Sequence, residues 1–468
     1  MINDACFIGC KTPYLQAFTN SNVNSIQKIS TLLVSLVFST IVLGQGDVNS
    51  PFSRFGIGDL EEGGFMHTRL MGGIGTSFVD IYHLNFENPA SLSHLKRTGF
   101  DIGVTANRST LNDQQVSSEQ WSGNLSYIGL GFPLRNPLNE AFSREGYDLN
   151  LGMGFALRPY STVSYSITTR DQIENIGEFD RNFSGSGGLY NVLWSNSIRY
   201  KNLSFGINTG YIFGKIDYER NIDFIDELNA FDNQFSNSFT ARGFTWDVGF
   251  LYTLTLNQTD LDRNPGTVEP KILSFGVTAK ANTGISTSSD VRNVNFSQTA
   301  LFIPAIDSVF VQDGVSGNGT LPSELGIGLN YNLSNKLLLG VDYQKTFWSN
   351  YKNDARPETL SDTYRLGFGG YYRPNYKSQN SLAARMYYRF GFYYEQDPRI
   401  IEGERISSYG ITFGFGFPFI WQRRDSNMNL GFNIGKRSVD GILEENFVKI
   451  SFGFTFNDTE WFIKRKFN

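Results

Sequence analysis

The sequence offers few side chains for catalysis or metal binding. Its three histidines, His67, His83 and His94, all precede residue 97, and no two lie three or four residues apart. A spacing of three or four residues would be needed to place two metal-ligating histidines on one face of a helix. The chain also lacks a Gly-x-Ser-x-Gly motif, the turn that presents a nucleophilic serine. We therefore expect neither an enzyme nor a bound metal or cofactor.

Four arginines fall on the polar face of two consecutive strand-like runs: Arg365, Arg373, Arg385 and Arg389. A guanidinium can hold a carboxylate through two parallel hydrogen bonds, so such a group could bind the acidic head of a ligand. Inside a barrel, arginines more often pair with acidic side chains of the wall, and Asp247 and Asp342 alternate toward the same side. Ligand binding and internal ion pairing both stay open.

Apolar side chains form two groups within long connections. The first group has spacings of four, three and four residues: Phe224, Leu228, Phe231 and Phe235. This spacing predicts one face of an amphipathic helix within 218–239. The second group includes Phe302, Ile303 and Phe310. Exposed apolar clusters usually mark a binding surface, although the two segments could instead pack on each other as a cap.

The elements that position these side chains are predicted to be strands. From Val448 to Asn457, apolar and polar residues alternate strictly, and Leu149 to Leu157 repeats the pattern. A two-residue period indicates a strand, and this length suffices for a tilted strand to cross a bilayer. Many such runs follow one another between residues 97 and 457. The sequence thus predicts an all-β fold, a transmembrane antiparallel β-barrel of about 14 strands.

Connections between the runs alternate in length. The short ones are 201–202, 334–336, 374–380 and 419–427, and the long ones are 109–120, 171–188, 218–239 and 286–320. Barrels of the bacterial outer membrane have short periplasmic turns and longer outer loops. Because the number of strands is even, both termini are expected on the periplasmic side.

Composition and the start of the chain agree with export. The 468 residues include 41 Phe and 23 Tyr, and the net charge of −5 offers no basic surface for nucleic acid. Lys28 precedes an apolar core at 32–43, and Gly44 is a small residue suited to cleavage, so we predict a signal peptide and leader over 1–44. Cys6 and Cys10 fall within this leader, and the mature chain would contain no cysteine.

The stretch 45–96 does not alternate and is rich in turn residues. Its most characteristic residues are Gly72, Gly73, Gly75, Asn88, Pro89 and Ala90. No predicted strand precedes these glycines, and the acidic residue that follows the glycines of a dinucleotide-binding site is missing. At this spacing, directly before the first strand, these residues resemble the N-terminal plug of the FadL family, outer-membrane channels for long-chain fatty acids and other hydrophobic compounds. The region from Gly410 to the Trp461–Lys466 ending is similar to a Bacteroidetes branch of that family.

The resemblance implies a domain organisation. Residues 45–96 would form a plug inside a barrel of residues 97–457, followed by a periplasmic tail at 458–468. The apolar connections would capture a hydrophobic ligand. Pro159 would kink the third strand and open a lateral gap toward the membrane, with Asn88–Ala90 beside it as a hatch. A plain strand end at Pro159 is the alternative.

The same resemblance implies two functions. The chain would be an outer-membrane channel for passive uptake of hydrophobic small molecules such as long-chain fatty acids. Alternatively, it would be a non-transporting accessory barrel of an envelope protein-secretion or outer-membrane assembly machine. Its partners would be membrane lipids, together with either hydrophobic small molecules or an envelope protein complex.

Overall fold

The structure, a computed structural model, describes residues 50–458 except 114–116, 136–147, 174–176, 226–230, 265–267, 298–304, 335 and 422–423. The expected leader at 1–44 and the tail beyond residue 458 lie outside the described residues. So do three of the expected binding residues, Leu228, Phe302 and Ile303.

Strands account for most of the described chain. They are β1 (Asp59–Leu60), β2 (Thr98–Asp113), β3 (Ser117–Pro133), β4 (Leu149–Ile173), β5 (Gly177–Tyr200), β6 (Leu203–Phe224), β7 (Asp232–Thr255), β8 (Lys271–Lys280), β9 (Thr283–Ser297), β10 (Ala305–Leu321), β11 (Glu324–Leu333), β12 (Leu337–Thr346), β13 (Lys352–Asn353), β14 (Thr363–Tyr372), β15 (Tyr387–Ile401), β16 (Glu404–Trp421), β17 (Arg424–Val439) and β18 (Leu443–Asp458).

The helices are short. Three are α-helices, α1 (Met66–Arg69), α2 (Gln258–Arg263) and α3 (Leu382–Arg385). Three are 3₁₀ helices, η1 (Pro51–Arg54), η2 (Pro89–His94) and η3 (Trp348–Asn350). Within the described part of the chain, none has the length and apolar character needed to cross a bilayer.

Fourteen strands close into a barrel. Each pairs antiparallel with its neighbours in the order β2–β3–β4–β5–β6–β7–β8–β11–β12–β14–β15–β16–β17–β18, and β18 returns to β2. The pair formed by Thr98 and Asp458 marks one end of the barrel, which we call the basal rim. The opposite end is the distal rim. The prediction of an antiparallel β-barrel with this number of strands is confirmed.

The outward-facing side chains of the barrel form an apolar belt. Exposed members are Trp194, Phe205, Phe275, Ile327, Phe368, Phe392, Ile411 and Phe452. A soluble protein rarely exposes so much apolar surface, and a closed barrel leaves no unpaired strand edge within hydrocarbon. The belt and the closure together give the architecture of an outer-membrane barrel.

One wall continues beyond the barrel. At the distal rim, β4, β5, β6 and β7 run on together, β7 pairs there with β9, and β9 pairs with β10. We call this six-stranded extension the distal sheet. A buried apolar cluster packs on its inner face and includes Val163, Ile216, Phe239 and Trp348. Ile57, from the residues ahead of the barrel, belongs to the same cluster.

Two expectations about the connections are wrong. Segment 218–239 is not an amphipathic helix, because β6 extends to Phe224 and β7 begins at Asp232. Connections 171–188 and 286–320 likewise consist mainly of strand, so the alternation of short turns with long loops does not hold. Long distal strands can pair their backbone N–H and C=O groups with each other. In long loops, most of these groups would have to bond to water.

The ends of the described chain lie at opposite rims. Arg437 donates to the hydroxyl of Ser50 at 2.7 Å, and the backbone N–H of Ser50 donates to Ser164 at 3.2 Å, both near the distal rim. Asp458 lies at the basal rim. Both ends of the barrel wall, Thr98 of β2 and Asp458 of β18, lie at the basal rim, as an even number of strands requires. The two chain termini lie outside the described residues, and their expected periplasmic side stays a prediction.

Residues 50–97, which we call the inner segment, run from the distal rim to the start of β2 inside the barrel. Their apolar side chains pack against inward-facing residues of the wall. Phe65 stacks on Tyr127 with 3.9 Å between ring centroids, and the Tyr127 hydroxyl accepts from the backbone N–H of Met66 at 2.9 Å. Leu70 and Leu84 complete this buried cluster with their neighbours.

Glycines of the wall let the backbone of the inner segment approach closely. A Cβ at Gly367 would lie 2.6 Å from the carbonyl oxygen of Gly72, and a Cβ at Gly391 would overlap the backbone nitrogen of Gly72. Gly206 faces the backbone of Pro89 and Ala90 in the same way. Because a backbone cannot swing aside as a side chain can, the inner segment fits only while these wall positions carry no side chain.

We predict that Gly391→Ala loosens the inner segment, because the added methyl group overlaps Gly72. Overpacking of this kind costs about 1–3 kcal/mol. Trypsin should then cut after Arg69 several-fold faster than in the wild-type barrel in detergent. Gly284→Ala is the matched control, since its Cβ would meet nothing closer than 4.0 Å. Equal cutting rates in the two variants would contradict this packing.

Candidate functional site

The wall of the barrel parts between β3 and β4. Their pairing runs only from Ile128 with Leu157 to Pro133 with Gly152. Toward the distal rim, β3 continues on β2 and β4 continues on β5, and we call this parted stretch the seam. Pro159 lies just beyond the last pair, where it cannot donate a backbone hydrogen bond, and a bulge in the pairing with β5 follows it.

The inner segment covers the edge of β4 at the seam. β1 pairs antiparallel with residues 161–162 of β4. The backbone N–H of Glu61 donates to the carbonyl of Tyr160 at 3.1 Å, and the guanidinium of Arg158 donates to the carbonyl of Gly63. Residues 59–61 thus pair with the backbone of residues 160–162, the first part of β4 that β3 leaves unpaired.

One carboxylate joins the two sides of the seam. Oε1 of Glu61 accepts from the hydroxyl of Thr162 on β4 at 3.1 Å and from the side-chain amide of Asn124 on β3 at 3.4 Å. Beyond Leu157, no backbone pair between β3 and β4 occurs among the described residues. Displacing residues 59–63 would therefore separate the two strands without breaking the barrel ladder.

An ion-pair network holds β1 in this position. Asp59 lies 2.8 Å from a guanidinium nitrogen of Arg399 on β15 and 2.9 Å from one of Arg437 on β17. Asp397 pairs with Arg399, and Glu445 pairs with Arg437 at 2.5 Å. The two arginines are largely buried. β1 is thereby tied both to the seam and to the opposite part of the wall.

The network fixes the charge of Asp59. Burial alone would raise the pKa of this carboxyl group, but the guanidinium groups of Arg437 and Arg399 lower the pKa far below its usual range. Because the pKa is lower in the folded state, the stabilisation is fully present above about pH 4 and is lost only as the pH falls through the folded value. The tie is therefore intact at neutral pH.

Behind the seam lies a chamber of about 360 Å³. Both sides of the seam contribute to its lining, with Asn124 from β3 and Arg158 and Thr162 from β4. Among the lining residues, acidic side chains outnumber basic ones by nine to six. The chamber is thus polar, with an excess of carboxyl groups.

One of the four expected arginines stands apart from the other three. Arg365 lines the chamber, where it pairs with Glu395 at 3.2 Å, and internal pairing therefore accounts for it. Arg373 donates to the backbone carbonyl of Arg385 at 2.7 Å. The guanidinium groups of Arg373 and Arg389 both lie over the ring of Tyr387, 4.5 and 4.9 Å from its centroid. A ligand-binding role for these three arginines stays a prediction.

The expected hatch lies elsewhere. Asn88 donates to the carbonyls of Thr76 and Phe250 at 2.6 and 3.1 Å, next to β7, and Pro89 and Ala90 face Gly206 of β6. The expectation that these residues stand beside Pro159 is wrong, because residues 59–63 occupy that place. Gly72, Gly73 and Gly75 lie deeper in the inner segment, against β14, β15 and Glu87.

The inner face of β4 on the basal side of Pro159 is also filled. The space beside Gly152 and Gly154 is taken by the carbonyl of Leu92 and the ring of Phe86. Ala156, next on the same face, is buried. The part of β4 that β3 leaves unpaired is the seam, which begins beyond Leu157.

Three of the expected apolar residues share the inner face of the distal sheet. One row across this sheet pairs Phe183, Arg220, Phe235, Asn293 and Phe310 in turn. Phe224 lies on the same face two rows higher, opposite Phe179. Phe231 lies in the turn and is 53% exposed. The spacing of the apolar residues correctly placed Phe224 and Phe235 on one face, although a hairpin and not a helix brings their side chains together.

The residues that close the seam escaped the sequence analysis. Asp59, Glu61, Arg399 and Arg437 follow no motif, and the partners of Asp59 are more than three hundred residues away. The only local signal was an acidic triplet at 59, 61 and 62 within a stretch of turn residues.

A family model described as BamG matches residues 25–468 of the chain. The search of curated proteins found no match.

Solved structures share the fold. The toluene transporter TbuX of Ralstonia pickettii is 15% identical, with a TM-score of 0.51 over 85% of this chain and 99% of that chain. A FadL homologue of Pseudomonas aeruginosa is 12% identical, with a TM-score of 0.51 over 86% and 99%. A deltaS2S3 mutant of TodX, a monoaromatic hydrocarbon channel, is 16% identical, with a TM-score of 0.51 over 85% and 99%. The resemblance to FadL-type proteins is confirmed for the fold.

We predict that Asp59→Asn releases β1. The substitution leaves Arg399 and Arg437 short of a carboxylate, and removing one partner of a buried ion pair costs about 3 kcal/mol. Amide hydrogen exchange at residues 59–63 should accelerate by about a hundredfold. Asp180→Asn is the control, because its pair with Arg170 is mostly exposed and such pairs contribute at most about 1 kcal/mol. Unchanged exchange in Asp59→Asn would show that the network does not hold β1.

Proposed function

The chain belongs to the BamG family, and we propose that it is an outer-membrane barrel that releases small hydrophobic molecules sideways into the bilayer through the seam. Residues 59–63 act as the gate, and the rest of the inner segment acts as a plug. The observation that carries this proposal is the seam itself, where β3 and β4 stop pairing at Leu157 and only the inner segment bridges them.

Lateral release suits a hydrophobic molecule. Outside the seam, β4 and β5 expose Phe155, Tyr190 and Trp194 to the surroundings of the barrel. A solute that leaves between β3 and β4 moves directly into hydrocarbon, and it avoids the unfavourable exposure of its apolar surface to water on the far side. The vertical path offers no such exit, because the inner segment packs backbone against backbone on the wall.

The entrance is proposed at the inner face of the distal sheet. Phe235 and Phe310 face the distal opening there, and Phe310 is 48% exposed. Below them the apolar cluster around Phe239 is fully covered. An apolar solute could rest on this row before entering the chamber, which corresponds to the ligand-binding role expected for Phe224, Phe231, Phe235 and Phe310.

The chamber favours compact neutral molecules over fatty acids. Its lining has six basic side chains against nine carboxyl groups, so no net positive charge attracts an acidic head group, and its volume of about 360 Å³ is ample for a small ring compound. TbuX is a toluene transporter and TodX is a monoaromatic hydrocarbon channel. By analogy, toluene is a suitable first probe.

The alternative implied by the sequence is a barrel that transports nothing and serves as an accessory subunit of an envelope protein-secretion or outer-membrane assembly machine. Purification in mild detergent separates the two functions. A stoichiometric protein partner together with no toluene uptake would favour the accessory barrel.

We predict that tying the seam shut abolishes uptake. Residues 45–458 contain no cysteine, so Asn124→Cys with Thr162→Cys creates a unique pair. Both native side chains reach the same oxygen of Glu61, at 3.4 and 3.1 Å, and a short bismaleimide can join them. Cells should then lose most of the barrel-dependent uptake of radiolabelled toluene, because the strands can no longer separate.

The control pair is Thr168→Cys with Asn182→Cys. These residues are already paired neighbours of β4 and β5, with side chains 2.6 Å apart in the distal sheet. The same cross-linker should leave uptake unchanged there. Full uptake after cross-linking of the seam would overturn the lateral route.

A further inference from the structure

The last strand of the distal sheet has an edge that no described residue covers over most of its length. β10 pairs with β9 along one side. On its other side, β13 meets only Gly319 and Thr320, and the backbone N–H of Asn318 donates to Asp354 at 2.9 Å. Within the described residues, the backbone of β10 from Ala305 to Gly317 has no partner on this side.

The opposite edge of the same sheet is protected. β1 pairs with β4, and the backbone N–H of Ser50 donates to the carbonyl of Ser164 at 3.2 Å. Further along, the described residues leave the edge of β4 uncovered as well, but this stretch is polar and carries two charged residues, Arg170 and Asp171, which discourage the addition of another strand. The edge of β10 differs from it in being largely apolar.

The exposed stretch of β10 is apolar. Val309, Phe310 and Val311 follow one another and are 57, 48 and 49% exposed, and Val315 is 40% exposed. From Ser308 to Ser316 the strand has no proline or lysine, and its single charge, Asp313, is paired with Arg292 of β9 at 3.2 Å. Edge strands usually carry proline, lysine or other charged residues, because an edge without them can pair with a further strand.

Two irregularities set the length of the template. The register with β9 shifts between Ser308 and Phe310 and again between Gln312 and Val315. An added strand would therefore pair with Phe310–Gln312 and with Val315–Gly317. It would cover the side chain of Val311, within the first stretch, and that of Val309, directly before it.

The bilayer is too far away to cover this edge. On the same wall the lipid-facing belt is represented by Leu325 of β11, fourteen residues after Val311. At 3.3 Å per residue, that separation is about 45 Å along the chain. The exposed edge therefore lies in water, beyond the apolar belt.

We propose that β10 is a docking edge for an extended segment of a partner protein, which adds a seventh strand to the distal sheet. Backbone hydrogen bonds to β10 would supply affinity, and pockets beside Val309, Phe310 and Val311 would select neutral, apolar side chains. Two copies in one membrane are related by an axis along its normal, which would set their β10 strands side by side and parallel. A separate partner can approach antiparallel, the geometry of the rest of this sheet.

The test uses the purified barrel in detergent and a fluorescent ten-residue peptide that alternates valine and threonine. We expect its binding, followed by anisotropy, to weaken at least about tenfold in the double variant Val309→Lys, Val311→Lys, because the charges guard the edge. Thr240→Lys with Ser286→Lys is the matched control. It adds the same charge at exposed positions of β7 and β9 within the sheet and should bind as the wild type does.

The nature of the contact is tested with a second peptide, N-methylated at alternate residues, which cannot form a strand pair. We expect it not to bind, and we expect the first peptide to slow amide hydrogen exchange within 310–317. Equal binding of both peptides, or no difference between the two lysine variants, would overturn the proposal. So would a dimer of the wild-type barrel that the edge variant makes monomeric, since the occupant would then be a second copy.

Discussion

An unpaired strand edge is the constraint on which this structure depends. A barrel wall must pair its backbone groups internally, because hydrocarbon offers them no partner. Here β3 and β4 part beyond Leu157, and the inner segment supplies the missing partner through β1, Glu61 and Gly63. The protein thus covers this part of its wall with a strand of only two residues, and the ladder of the barrel does not run through that strand.

Two kinds of contact hold the inner segment, and they differ in how readily they yield. Around Gly72 and Ala90 the backbone lies directly on glycines of the wall, which leaves no room for movement. Around Asp59 the hold is electrostatic, through Arg399 and Arg437. Charge pairs can exchange partners with water and ions, whereas packed backbone cannot. The segment therefore combines a fixed part near the basal rim with a releasable part at the seam.

Local patterns predicted the strands well. The alternation from Val448 to Asn457 is β18, and the number of strands followed from repeating the same pattern. The helix at 218–239 was wrong because the hairpin of β6 and β7 places Phe224 and Phe235 on one face, as a helical stripe would. The tie at Asp59 could not be read from the sequence, since its partners come from strands that closure of the barrel brings near.

If β1 and Glu61 form a movable bridge across the seam, the distance between β3 and β4 must change when the bridge moves. Spin labels at Trp121→Cys on β3 and Ser166→Cys on β4, both exposed positions, report this distance by pulsed electron resonance. We expect one short distance in the resting barrel and a second, longer population when toluene is added or when Asp59→Asn is introduced. A single distribution, unchanged by either, would contradict a movable bridge.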